Sequence, residues 1–146
     1  MTYIRKKTIE GLKIGDAFTV VRTFTEEDTM KFGEMSHDYN PVHYSDQFAA
    51  SKKFKGRICH GLLVGSLITE IGGQIGWLAT GMNFKFIKPV YFGDTITCKV
   101  TINNISENGK SEASALYVNQ DGVVVIAASL TGFIPNEFER KIMEKL

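Results

Sequence analysis

The stretch Gly61-Leu62-Leu63-Val64-Gly65-Ser66-Leu67-Ile68-Thr69-Glu70-Ile71-Gly72-Gly73-Gln74-Ile75-Gly76-Trp77-Leu78 decides the architecture. Leu62, Leu63, Leu67, Ile68, Ile71, Ile75 and Leu78 recur at helical spacing. Val64 and Trp77 carry the apolar surface further round, which predicts one helix over residues 61–78 that is buried on most sides. Gly65, Gly72, Gly73 and Gly76 each cost a helix roughly 1 kcal/mol relative to alanine. Close approach of a neighbouring backbone, as when a sheet wraps the helix, would offset that cost. With Glu70, Gln74 and five glycines, the stretch falls short of the about 20 mostly apolar residues of a membrane-spanning helix.

On the C-terminal side the pattern changes to strands. Met82–Lys88, Thr95–Ile105, Ser111–Asn119 and Val123–Phe133 are β-rich or alternate in polarity. The turns Phe92-Gly93-Asp94, Glu107-Asn108-Gly109 and Gln120-Asp121-Gly122 separate them, and the last two predict successive antiparallel hairpins. A short charged amphipathic helix or tail follows over Pro135–Leu146. On the N-terminal side, Phe18–Thr23 reads as a strand after a Gly15-Asp16 turn. Thr25 caps a helix whose first turn carries Glu26, Glu27 and Asp28, and which fades by Ser36. Residues 37–44 form a loop, because Pro41 fixes its own φ and keeps Asn40 out of the α region. The order predicts an α+β class, with one antiparallel sheet packed on a central apolar helix. No repeat or linker divides residues 1–146, which are read as a single domain.

Composition bounds the function. Hydrophobic residues are 43% of the chain and charged residues 23%, a globular balance. A net charge of +1 gives no electrostatic case for nucleic acid or an anionic membrane. Residues 1–7 lack the apolar core of a secretory signal, and two cysteines make no disulfide framework, so a reducing, cytoplasmic setting is expected. Cys59 and Cys98 read as small apolar fillers.

The chemistry concentrates in Phe32-Gly33-Glu34-Met35-Ser36-His37-Asp38-Tyr39-Asn40-Pro41-Val42-His43. Asp38 and His43 stand five apart across a proline-stiffened turn. A carboxylate and an imidazole on one rigid loop can hold a water between them, and either can act as general base or acid. Taken alone, Asp-x-Asn-Pro is also an ordinary turn. Further on, Cys59-His60-Gly61 opens the apolar helix. Backbone N–H groups at a helix start are unpaired and point outward, and Gly61 would let a carbonyl oxygen approach them. One such donor to a developing enolate is worth about 2.7–4 kcal/mol in enzymes that use it. His37, His43, His60, Asp38 and Cys59 do not match a metal-ligand spacing, so no metal is expected; His60 is expected to cap or orient the loop without acting in catalysis.

Together these residues resemble the signature of the MaoC-like, (R)-specific enoyl-CoA hydratases. That signature is an aromatic, an aliphatic and a small residue, then Gly-Asp-x-Asn-Pro-aliphatic-His and, after five spacers, a small residue. Phe32, Met35, Ser36, Asp38, Asn40, Pro41, Val42, His43 and Ala49 fill it here. His60-Gly61-Leu62-Leu63 is similar to the start of the family's central helix, and Phe86–Asp94 to its following strand and turn. The departures are Met35 in the aliphatic slot and His37 in place of glycine. A glycine there often marks positive φ or tight packing, so His37 bears on the loop's shape.

The resemblance implies a hotdog fold and a hydro-lyase acting on trans-2-enoyl thioesters, most simply enoyl-CoA. It implies that Asp38 takes a proton from water as the oxygen attacks Cβ, and that His43 holds the water and helps return a proton to Cα. The product would be the (R)-3-hydroxyacyl thioester, with the Gly61 N–H binding the thioester oxygen. Asn40 would shape the loop. Thr69 matches a polar position that helps orient the site in relatives, or else bonds its own helix backbone. Lys52, Lys53, Lys55 and Arg57 would meet the phosphates of coenzyme A or an acidic acyl carrier protein, unless they are simply a solvated basic loop. No cofactor is implied beyond coenzyme A as part of the substrate. Hotdog domains commonly pair edge to edge, so a homodimer or larger oligomer is expected. Alternative readings are a 3-hydroxyacyl-acyl-carrier-protein dehydratase, a hotdog thioesterase and a non-catalytic acyl-thioester-binding subunit.

Overall fold

A computed structural model describes all 146 residues. Its elements are α1 (Tyr3–Glu10), β1 (Ala17–Thr23), α2 (Glu26–Ser36), a 3-10 turn (Pro41–His43), α3 (Asp46–Ser51), α4 (Gly61–Gly65), α5 (Leu67–Ile75), β2 (Leu78–Phe86), β3 (Thr95–Ile105), β4 (Lys110–Val118), β5 (Val124–Phe133) and α6 (Glu137–Met143). The five strands form one antiparallel sheet in the order β1-β3-β4-β5-β2. Both expected hairpins are present, β3 with β4 and β4 with β5.

The sheet's concave face is written in the alternation of its strands. Ile96, Cys98, Val100 and Ile102 of β3, then Ala113, Ala115 and Tyr117 of β4, point inward and are buried. They form one core with Leu67, Ile68, Ile71 and Ile75 of α5. The hotdog arrangement, a sheet wrapped on a helix, is therefore what the chain builds.

The central helix departs from expectation in two respects. It is jointed at Ser66, whose hydroxyl turns back to donate to the Leu63 carbonyl at 2.6 Å. The Tyr117 hydroxyl, reaching up from the sheet, donates to the Gly65 carbonyl at 2.6 Å beside that joint. The helix also ends at Ile75, because Gly76 adopts φ 75° and its N–H bonds the Gly72 carbonyl. Leu78 thus begins β2, and both Leu78 and Leu62 are exposed rather than buried. The helix glycines are not matched by close backbone either. Aromatic rings cover two of them, Phe86 over Gly61 and Phe84 over Gly65, while a Cβ at Gly73 would meet open space.

Two short helices were not expected from the sequence. α1 is capped by Thr2 and fastened through Arg5, which donates to the Gln74 and Gly73 carbonyls at the end of α5. α3 is a six-residue helix capped by Ser45. No helix is long and apolar enough to cross a membrane.

Candidate active site

The site is assembled from three segments: the loop after α2, the segment leading into α4, and the segment leaving β2. α2 starts as the sequence predicts. The Thr25 hydroxyl accepts from the Asp28 N–H, and the Asp28 carboxylate accepts from the Thr25 N–H. It ends at His37, whose φ of 58° is left-handed and whose N–H bonds the Gly33 carbonyl. The residue in the family's glycine slot therefore does sit at positive φ, and its ring stacks on Tyr39.

Beyond His37 a ladder of local hydrogen bonds sets the loop. The Ser36 hydroxyl accepts from the Asp38 N–H, Asp38 Oδ1 from the Asn40 N–H, and Asn40 Oδ1 from the Val42 N–H, each at 3.1 Å. Asn40 thereby caps the 3-10 turn that carries His43. Asp38 spends one oxygen on this ladder and keeps Oδ2 free.

His43 is buried, with Nδ1 2.8 Å from the Ile58 carbonyl oxygen. A carbonyl can only accept, so Nδ1 carries the hydrogen and Nε2 presents a bare lone pair. That Nε2 lies 3.9 Å from Asp38 Oδ2. Burial lowers the His43 pKa below its ordinary value and outweighs the bond to Ile58; His60 lowers it further, and the Asp38 charge partly opposes. The ring is therefore a neutral acceptor near neutral pH.

Asp38, His43 and Gly61 line one cleft of about 440 Å3, walled mainly by Phe54, Ile58, Leu62, Phe86 and Ile126. Gly61 is the first residue of α4, so its N–H has no intrahelical acceptor. A Cβ there would come within 2.7 Å of the Phe86 ring. Lys88 is the cationic residue of the cleft lining. Sequence reasoning passed over it, although it lies in the Phe86–Asp94 block already singled out.

The remaining expected residues are placed differently. The Thr69 hydroxyl donates to the Ser66 carbonyl at 2.7 Å, its local helix bond, and lines a separate apolar cleft of about 290 Å3 beside Trp77 and Met82. Arg57 is not free for a phosphate: it pairs with Glu26 at 2.8 Å and Asp46 at 3.6 Å and lies over the Phe92 ring. Lys52, Lys53 and Lys55 are exposed, Lys52 over the Phe48 ring and Lys53 in the left-handed region at φ 65°. Cys59 and Cys98 are free and buried, and desolvation raises both thiols to about 11, which suits inert packing.

His60, expected from the sequence to cap or orient the loop, makes no side-chain capping bond but does join this group. It is buried, stacks on His43 with ring centroids 3.8 Å apart, and its Nε2 lies 2.9 Å from the Asp38 carbonyl oxygen. Ligand atoms of Asp38, His43 and His60 fall within 4.8 Å of one another. His60 Nε2 gives its hydrogen to a carbonyl and His60 does not line the cleft, which leaves two free ligand atoms there, Asp38 Oδ2 and His43 Nε2. A zinc site needs at least three protein ligands. The donor set is arranged for hydrogen bonds.

Comparison with known proteins bears on the same residues. The model of the MaoC like domain matches residues 13–123. The chain is 31% identical over 139 residues to the mitochondrial 3-hydroxyacyl-[acyl-carrier-protein] dehydratase of Arabidopsis thaliana, covering 91% of this chain and 82% of that one. It is 31% identical over 130 residues to the (R)-specific enoyl-CoA hydratase of Rhodospirillum rubrum, covering 86% and 90%. Among solved structures it resembles the (R)-hydratase from A. caviae involved in PHA biosynthesis, with a TM-score of 0.80, 26% identity, and coverage of 86% of this chain and 99% of that one.

Proposed function

The chain belongs to the MaoC-like dehydratase family, and from that premise we propose that it catalyses the reversible syn addition of water to trans-2-enoyl thioesters, giving (R)-3-hydroxyacyl thioesters. It is a hydro-lyase of that family. The observation that carries the reading is the pair of bare acceptors, Asp38 Oδ2 and His43 Nε2, 3.9 Å apart in a mainly apolar cleft.

A water has two hydrogens, and two acceptors at that separation take one each. Its oxygen then keeps a lone pair directed away from both, toward a substrate Cβ. As the C–O bond forms, one hydrogen passes to Asp38 as a proton, while His43 holds the other, which stays on the new hydroxyl. The displaced π electrons move onto the thioester oxygen as an enolate, stabilised by the Gly61 N–H. The proton is then returned through the Asp38–His43 pair to Cα, on the face the oxygen entered, so the addition is syn and both side chains end as they began. The reverse sequence is dehydration.

A hotdog thioesterase would need an activated water at the carbonyl carbon, and the Gly61 donor and the dyad are better matched to attack at Cβ. The cleft's cation, Lys88, with exposed Lys52, Lys53 and Lys55 flanking the cleft residue Phe54 in the chain, supports a carrier bearing phosphate, the phosphopantetheine arm common to coenzyme A and acyl carrier protein. We assign coenzyme A as the carrier. Parallel assays with 2-butenoyl-CoA and 2-butenoyl-acyl carrier protein test this: faster turnover of the CoA thioester at equal concentration supports it, and turnover of the carrier-protein thioester alone overturns it.

The oligomer is assigned as a homodimer joined through β2. This strand is an edge, paired only with β5, and it exposes Leu78, Met82 and Phe86.

A further inference from the structure

His60 occupies a place its chain position does not explain. It is the N-cap residue of α4 but makes no side-chain capping bond. Its ring is 1% exposed and is held from several directions. One face lies against His43, with centroids 3.8 Å apart and planes 26° apart. Phe32 of α2 packs at 5.0 Å and Tyr44 meets it edge-on at 6.2 Å. The titratable groups facing it are thus Asp38 from the loop and His43 and Tyr44 from the 3-10 turn and its end; α2 presents only the apolar Phe32. Nε2 must carry the hydrogen, because its partner at 2.9 Å is the Asp38 carbonyl oxygen. Nδ1 is then a bare lone pair, buried with no partner. Nε2 lies 3.9 Å from Asp38 Oδ2, beyond hydrogen-bond reach, so its N–H is held by the Asp38 backbone and the carboxylate oxygen stays free.

We propose that His60 is a positioning residue for the hydration: its ring locks the His43 plane by stacking and the Asp38 backbone by hydrogen bonding, so that both acceptors face the same water. This rests on the reading of the Asp38–His43 pair given above. The tautomers follow as a set. His60 carries its hydrogen on Nε2, His43 on Nδ1, and the two atoms aimed at the water stay bare. Stacking by His60 also shields His43 from solvent, which favours its neutral form. Replacement of His60 by a smaller or non-aromatic group leaves the substrate cleft walls in place but frees the ring that must receive the water. The loss is then one of catalytic geometry rather than of substrate affinity.

The test reads the imidazole nitrogens directly, by long-range 1H–15N NMR of the ligand-free protein across pH, beside steady-state hydration kinetics. In the unmodified chain, His60 is expected as the Nε2–H tautomer and His43 as the Nδ1–H tautomer. In His60→Gln, which keeps an N–H donor, and His60→Phe, which keeps a stacking ring, kcat is expected to fall roughly 10–100-fold with KM within about threefold. His43 should titrate at higher pH in His60→Gln, which lacks the ring. His60 found as the Nδ1–H tautomer in the unmodified protein overturns the proposal without any variant. So do folded variants whose kcat and His43 titration are unchanged. Failure of the hydratase reading looks different: the unmodified protein would not hydrate enoyl thioesters, whatever the tautomers.

Discussion

Asp38 divides its carboxylate between structure and chemistry, Oδ1 holding the Asn40 N–H and Oδ2 facing the histidines. That division shows which part of the candidate site's geometry the sequence could carry: the loop's own bonds. The Ser36, Asp38 and Asn40 ladder is made of bonds spanning two residues, so spacing in the chain is nearly spacing in space. His60 was legible as a residue that could orient the loop; which atoms it would hold was not. It lies 22 residues from Asp38, and only the fold brings them together. The pairing of Arg57 was not legible for the same reason: its partners, Glu26 and Asp46, come from α2 and α3.

At this scale His43 also makes a prediction about pH. Its folded pKa lies below the ordinary 6.5, chiefly through desolvation. Between 6.5 and the lowered value, the unfolded chain binds a proton that the folded one does not. His43 therefore removes stability as pH falls through that window, and contributes no slope above it. Urea midpoints measured across this range should fall with pH, and the part due to His43 should vanish in His43→Gln. The acid limb of kcat/KM should likewise sit below 6.5, since protonation fills the lone pair that holds the water.

Among the elements, the last three strands were read most closely, whereas β2, expected over Met82–Lys88, runs over Leu78–Phe86. β3 is Thr95–Ile105 as expected, and β4 and β5 shift by about one residue at their ends. Alternation and glycine turns are local signals. The central helix was read one turn too long because Trp77 and Leu78 continue its apolar character, although Gly76 already carried the stop. α1 was missed because only Ile4 and Thr8 of its eight residues are buried, and the Arg5 bonds that fasten it depend on the end of α5. The joint at Ser66 was likewise invisible, since part of what holds it comes from β4. There Tyr117 clamps the Gly65 carbonyl across the core. Tyr117→Phe keeps the ring and leaves that carbonyl unpaired, so it should cost about 1–3 kcal/mol in denaturant unfolding. A smaller effect would mean that the joint is fixed by Ser66 alone.

For the whole molecule, the sheet order β1-β3-β4-β5-β2 has one feature that pattern reading does not supply. β2 pairs with β5, nearly forty residues later in the chain, and so becomes an edge. The hairpins were visible in their turns; this long-range pairing was not. An edge strand with exposed Leu78, Met82 and Phe86 should recruit a second copy. Sedimentation should give a dimer for the unmodified chain and a monomer, or a much weaker dimer, for the double substitution Met82→Lys with Phe86→Lys. A dimer unaffected by these changes would place the interface elsewhere.

The central claim is that one water is held between Asp38 and His43 and added to an enoyl thioester. The most direct measurement follows the loss of enoyl-thioester absorbance from 2-butenoyl-CoA, with chiral analysis of the product, for the unmodified protein and Asp38→Asn. The amide keeps an acceptor for the Asn40 N–H but loses the negative charge that takes the proton. The account predicts (R)-3-hydroxybutyryl-CoA from the unmodified protein and a loss in kcat of about 10²–10⁴-fold in a folded Asp38→Asn variant. An (S) product, release of free thiol instead of hydration, or full activity in Asp38→Asn would contradict it.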